Sequence, residues 1–123
     1  MISLKGARVL IVEDTFLVAD SLRILIEAYR ASVEAMVPSN EKAFAALEQV
    51  EIDVAILDIH LKDGKVYPFA QHLVKIGTPF VFVTGYGEDA DIPESLATIP
   101  RLEKPIQIER LLRALAPLLG RSA

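Results

Sequence analysis

The chain has 123 residues, just over half of them hydrophobic, which fits one domain with a real core and argues against disorder. It contains no cysteine, so a disulfide scaffold, a thiolate metal site and a cysteine nucleophile are excluded. A formal charge of -4 without a Lys/Arg-rich run speaks against a nucleic-acid partner, and no signal peptide or apolar run of roughly 18 residues argues for a membrane.

Ala7 to Val12 (ARVLIV) is apolar and β-branched, bounded by Gly6 and by Glu13-Asp14, and predicts a buried strand. From Thr15 the period becomes helical: Phe16, Leu17, Ala19, Leu22, Leu25, Ile26 and Tyr29 form the expected apolar face, and Asp14 or Thr15 can cap it. Ala31 to Val37 predicts a second strand, ended by Pro38-Ser39. Ser39 or Asn40 then caps a second helix with Ala43, Phe44 and Leu47 as its stripe.

The third strand, Asp53 to Leu57, runs directly into Asp58. Four apolar residues before one carboxylate read as a strand buried on both faces. A loop containing His60, Asp63 and Gly64 follows, with Asp63-Gly64 as turn chemistry. The third helix is expected through Tyr67, Phe69, Ala70, Leu73 and Val74, stopped by Gly77, with His72 exposed. Pro79 to Val83 (PFVFV) predicts the fourth strand, ending at Thr84-Gly85. One short helix is expected near Pro93–Ala97, because proline suits only a first turn. Ile99 to Glu103 predicts a fifth strand before Lys104-Pro105. The last helix runs from Ile108 to about Leu119, with Leu111, Leu112, Leu115 and Leu119 facing in and Pro117 disturbing its final turn.

Five alternations of strand and helix imply an α/β fold with a parallel sheet and helices on both faces. Ligands of such sheets bind outside the carboxyl ends of the strands. There the sequence places Glu13-Asp14, Asp58, Thr84-Gly85 and Lys104-Pro105, after the first, third, fourth and fifth strands. Taken singly each has an ordinary explanation: a helix cap, a loop carboxylate, a β-branched strand residue, a solvated lysine. Together they are three carboxylates that repel one another until a divalent cation intervenes, with a lysine, a hydroxyl and a backbone N–H for an anion. That set suits Mg²⁺ beside a phosphoryl group, with a carboxylate able to act as nucleophile.

The pattern IVED … LDIHLKDG … VTG … EKP resembles the receiver domain of bacterial two-component response regulators over nearly the whole chain. The resemblance implies a doubly wound (βα)5 flavodoxin-like three-layer sandwich with strand order 2-1-3-4-5. It implies that Asp58 is the phospho-acceptor, that Glu13 and Asp14 hold Mg²⁺ with Asp58, and that the backbone carbonyl of His60 completes the ligands. It implies Thr84 as the switch hydroxyl, Lys104 as the partner of the phosphoryl group, and a cis Lys104-Pro105 bond. The stretch PFVFVTGYG from Pro79 to Gly87 resembles the FATGUY subgroup of stand-alone receivers, with Val83 in place of the subgroup's alanine. Arg101 stands where most receivers carry a switch Tyr or Phe, and Tyr86 is the candidate substitute.

The expected protein is thus a cytoplasmic single-domain response regulator over 1–123, with no output domain. It takes phosphoryl from a histidine kinase, HWE-type by the subgroup resemblance, or from a histidine phosphotransfer protein. It then binds an unknown downstream protein or acts as a phosphate sink, as a monomer or weak homodimer, without nucleic acid or membrane. Two alternatives stay open: a Mg²⁺-dependent phosphohydrolase with an aspartyl-phosphate intermediate, and a docking module independent of phosphorylation. A hydrolase usually places a second acid two residues after the nucleophile, where this chain has His60.

Overall fold

The computed structural model describes residues 3–85 and 91–121. In chain order the elements are β1 (Arg8–Val12), α1 (Phe16–Glu27), β2 (Ser32–Val37), α2 (Asn40–Gln49), β3 (Val54–Asp58), β4 (His60–Leu61), β5 (Gly64–Lys65), α3 (Tyr67–Ile76), β6 (Phe80–Thr84), β7 (Arg101–Glu103) and α4 (Ile108–Leu118). β2, β1, β3, β6 and β7 lie side by side in that order, and every adjacent pair is parallel. Numbered among themselves, these five strands have the expected order 2-1-3-4-5.

Successive side chains of a strand point to opposite faces. Here both faces are apolar, as the unbroken hydrophobic runs require. Leu10, Val12, Ala55, Leu57, Phe80 and Phe82 pack on Ala43 and Ala46 of α2 and Phe69, Ala70 and Leu73 of α3. Val9, Ile11, Val54, Ile56, Val81 and Val83 pack on Ala19, Leu22 and Ile26 of α1 and Leu111, Leu112 and Leu115 of α4. The result is a three-layer sandwich. β3 is buried along its whole length, so Asp58 leaves the core only at the strand's carboxyl end.

Local chemistry sets the boundaries. Ser39 caps α2 by accepting from the Lys42 N–H at 3.2 Å. Gly77, at φ 78°, ends α3, and the Thr78 N–H donates to the Leu73 carbonyl at 3.0 Å. Thr15 occupies the position before α1 without a side-chain capping bond, so neither Asp14 nor Thr15 caps that helix as expected.

Other expectations change too. The stretch after Asp58 is not a plain loop: β4 and β5 pair antiparallel, His60 with Lys65 and Leu61 with Gly64. The short helix near Pro93–Ala97 is a single 3-10 turn over Glu94–Leu96, anchored by buried Leu96, so four α-helices rather than five stand among the described residues. Phe16, Leu17 and Leu25 of α1, Phe44 of α2 and Val74 of α3, all expected inside, are exposed. His72, expected in solvent, is half-buried against the Phe44 ring at 5.3 Å. Pro117 sits within the last turn of α4 without ending it. Among the described residues no helix is long and apolar enough to cross a membrane.

Candidate phosphoryl-acceptor site

The in-register parallel pairing brings the ends of β1, β3, β6 and β7 to one edge. Val12 pairs with Leu57, Asp58 with Val83, and Thr84 with Glu103. The residue after each strand end therefore enters the same space. Glu13 follows β1 and holds its backbone in place by donating to the Val37 carbonyl at 2.9 Å. Asp58 closes β3 and Thr84 closes β6. Lys104 follows β7, its N–H donating to the Thr84 carbonyl at 2.9 Å, and its bond to Pro105 is cis.

The side chains converge. Glu13, Asp58 and Thr84 are the three buried polar residues among those described. Lys104 Nζ donates to Asp58 Oδ2 at 3.2 Å and to Glu13 Oε1 and Oε2 at 3.3 and 3.4 Å. The His60 backbone N–H donates to Asp58 Oδ1 at 3.3 Å. Both oxygens of Asp58 thus have a donor, one from a cation and one from the main chain. Asp14 is half-buried, and carboxylate oxygens of Glu13, Asp14 and Asp58 all lie within 4.8 Å of one another. The Thr84 hydroxyl donates to the neighbouring Gly85 carbonyl at 3.2 Å.

The electrostatics follow from that crowding. Burial, then the hydrogen bond and charge of Asp58, push the Glu13 carboxyl up to about 8, against the opposing pull of Lys104. Burial alone would lower the Lys104 ammonium, but the charges of Asp58 and Glu13 outweigh it and hold it above the usual lysine range. One lysine serves two buried carboxylates, with Asp14 a third at their side. The cluster is a site short of positive charge. Three hard oxygen donors at this spacing fit Mg²⁺, which takes one or two carboxylates together with waters and phosphate oxygens.

All the side chains expected at the sheet edge, Glu13, Asp14, Asp58, Thr84 and Lys104, are brought there, with the backbone of His60 beside Asp58. Arg101 lies on β7, paired with Phe82, at the exposed edge of the sheet. Tyr86 and Gly87 lie outside the described residues. Sequence reasoning missed two features. One is a cleft of about 550 Å³ between α1 and the segment after β7, lined by Leu17, Val18, Leu22, Leu25, Pro105 and Ile106, with Lys104 at its border. Leu17, apolar yet exposed, is the residue of α1 that marks it. The other is the set of bonds from Asp63 to α2, which no sequence pattern announces.

A family model described as the response regulator receiver domain matches residues 9–116. The chain is 31% identical over 112 residues to the sensory transduction protein LytT of Bacillus cereus, covering 88% of this chain and 45% of that protein. It therefore spans about half the length of the curated relatives it matches. Among solved structures it is similar to SdrG from Sphingomonas melonis Fr1, at a TM-score of 0.79 and 37% identity over 92% of this chain and 96% of that one. The receiver domain of the Erythrobacter litoralis response regulator PhyR shares the fold, with a TM-score of 0.81 and 21% identity over 95% of this chain and 92% of that one.

Proposed function

The chain belongs to the response regulator receiver domain family, and from that premise we propose that Asp58 accepts a phosphoryl group from a histidine kinase or histidine phosphotransfer protein. One observation carries the reading. The Asp58 carboxylate ends the central strand, buried in an acidic cluster, with Lys104 Nζ 3.2 Å from Oδ2. Burying several carboxylates around one lysine carries a desolvation cost that the pairing offsets only in part, which supports a functional reason for the cluster.

Glu13, Asp14, Asp58 and the backbone carbonyl of His60 would hold Mg²⁺. Bound there, the cation would supply charge neutralisation for the phosphoryl oxygens. The chain's own groups do the rest. One Asp58 oxygen forms the new P–O bond as the donor's P–N bond breaks, and the electron pair leaves with the donor's imidazole. Lys104 moves its hydrogen bonds from the carboxylates to the phosphoryl oxygens. The Thr84 hydroxyl turns from the Gly85 carbonyl toward the new charge. Because Thr84 and Lys104 sit on β6 and just after β7, their movement biases the face made by the 3-10 turn, β7 and α4, which is where phosphorylation-dependent protein binding is placed.

The phosphodonor must bring its group into contact with Asp58, so it covers the surface beside Lys104. The apolar cleft along α1 supports that docking mode: Leu17 lines it and is 75% exposed, with Lys104 at its border. The FATGUY-like stretch, the choice of an HWE-type kinase and a cytoplasmic location belong to the same reading.

The test is phosphorylation by acetyl phosphate with Mg²⁺, read by intact mass. A phosphoryl adduct is expected in the wild type, absent in Asp58→Asn and lost on chelation of Mg²⁺. No adduct in the wild type refutes the acceptor reading, and steady phosphate release without an adduct points to a hydrolase.

A further inference from the structure

Asp63 lies outside the acceptor site, at the turn between β4 and β5, yet its carboxylate is anchored to a different element. Oδ1 accepts from the Asn40 backbone N–H at 2.9 Å, and Oδ2 from the Glu41 N–H at 3.1 Å. The side chain of Asn40 answers in the other direction, Nδ2 donating to the Lys65 carbonyl at 3.0 Å and to Asp63 Oδ1 at 3.3 Å. Four hydrogen bonds thus strap the β4–β5 ribbon to the first turn of α2. The anchor is firm: α2 buries Ala43 and Ala46, and Phe44 meets the Phe69 ring edge-on at 5.1 Å. The positive end of a helix also favours the anion, and the Asn40 and Glu41 N–H groups hold the Asp63 carboxyl below the usual range.

The ribbon needs such a strap. It has two residue pairs, and a hairpin that short does not hold its own orientation in water. It also begins two residues after Asp58, and the His60 N–H that meets Asp58 Oδ1 belongs to its first residue. Any swing of the ribbon moves that backbone relative to the carboxylate.

We propose that Asp63 is a positioning residue for the acceptor site: by tying the ribbon to α2 it holds the His60 backbone against Asp58 in the arrangement that takes a divalent cation. This rests on the phospho-acceptor reading. Asp63 touches no reacting atom and acts through residues 60–62. Metal sites commonly lose affinity when the groups that orient their ligands are removed.

The experiment is a Mg²⁺ titration of wild type, Asp63→Ala, Asp63→Asn and Ser39→Ala, followed by the backbone amide signals of Asp58 and His60 in ¹H–¹⁵N NMR. Asp63→Ala is expected to raise the Mg²⁺ dissociation constant about tenfold. Asp63→Asn keeps one acceptor oxygen and falls between the two. Ser39→Ala removes the cap that α2 draws from its own segment but leaves the strap, so it stays near wild type. An unchanged constant in Asp63→Ala overturns the proposal, as does an equal loss in Ser39→Ala, which would assign the effect to helix stability. If the wild type itself binds no Mg²⁺, the acceptor reading falls instead.

Discussion

Glu13 makes stability depend on pH in a direction unusual for a carboxylate. Burial and Asp58 raise its pKa from 4.5 to about 8 in the folded protein. Between those values the native state holds a proton that the unfolded chain has released. Stability therefore falls as pH rises through that window. The ceiling is about 5 kcal/mol, at about 1.4 kcal/mol per pH unit. We expect about 2 kcal/mol between pH 5 and 8, because solvent at the strand edge screens part of the repulsion. The other perturbed groups leave the window flat. Asp53, Asp63 and Asp91 are lowered by their partners, so their contributions are complete above the ordinary carboxylate range and are lost only in acid. Lys104 is raised and acts only at strongly alkaline pH. Urea unfolding followed by circular dichroism at pH 5, 6, 7 and 8 measures the slope. Glu13→Gln, neutral throughout, should flatten it, and saturating Mg²⁺ should offset the loss at pH 8. A wild-type stability that rises from pH 5 to 8, or an equal slope in Glu13→Gln, would refute the reasoning.

Phe69 is fully buried and carries the ring contact that joins α3 to α2, so Phe69→Ala should cost about 3–5 kcal/mol in urea unfolding; a loss under about 1 kcal/mol would mean the site collapses freely. Leu17→Glu places a charge in the α1 cleft, and should cut phosphotransfer from a cognate kinase at least about tenfold. The same variant should take acetyl phosphate like wild type; an equal loss in both assays would show damage to the site rather than to docking.

The fold was legible where burial is complete. β3 and β6 are apolar on both faces, so their sequences have no polar alternation to misread, and each ends on a single polar residue, Asp58 or Thr84. α1 was misread because three of its apolar residues serve a surface: Phe16, Leu17 and Leu25 extend the helical pattern without entering the core. The β4–β5 ribbon, with arms of two residues, is too short to show a period. The expected helix near Pro93–Ala97 is one 3-10 turn, Glu94–Leu96, in a stretch bounded by Pro93 and Pro100, which limit how far a helix can extend. At the site, Glu13, Asp14, Asp58, Thr84 and Lys104 were legible because each is a polar residue at or just after the end of a strand, and parallel pairing gathers those ends at one edge. The strap from Asp63 to Asn40 was invisible, since both residues read locally as turn and cap formers and only the tertiary fold joins them.

The two edges of the sheet differ from its centre in a way that bears on association between chains. An edge strand leaves a row of backbone donors and acceptors that can recruit a foreign strand. β7 offers only three residues, two of them the exposed and oppositely charged Arg101 and Glu103. At the far edge, β2 carries Glu34, whose carboxylate accepts from the Ser32 hydroxyl, and a register shift against β1 between Val9 and Leu10. Short length, charge and irregular pairing all oppose templated strand addition. The side of the sheet that carries Thr84 on β6 and Lys104 just after β7 can therefore shift without offering a long, flat edge to a second chain.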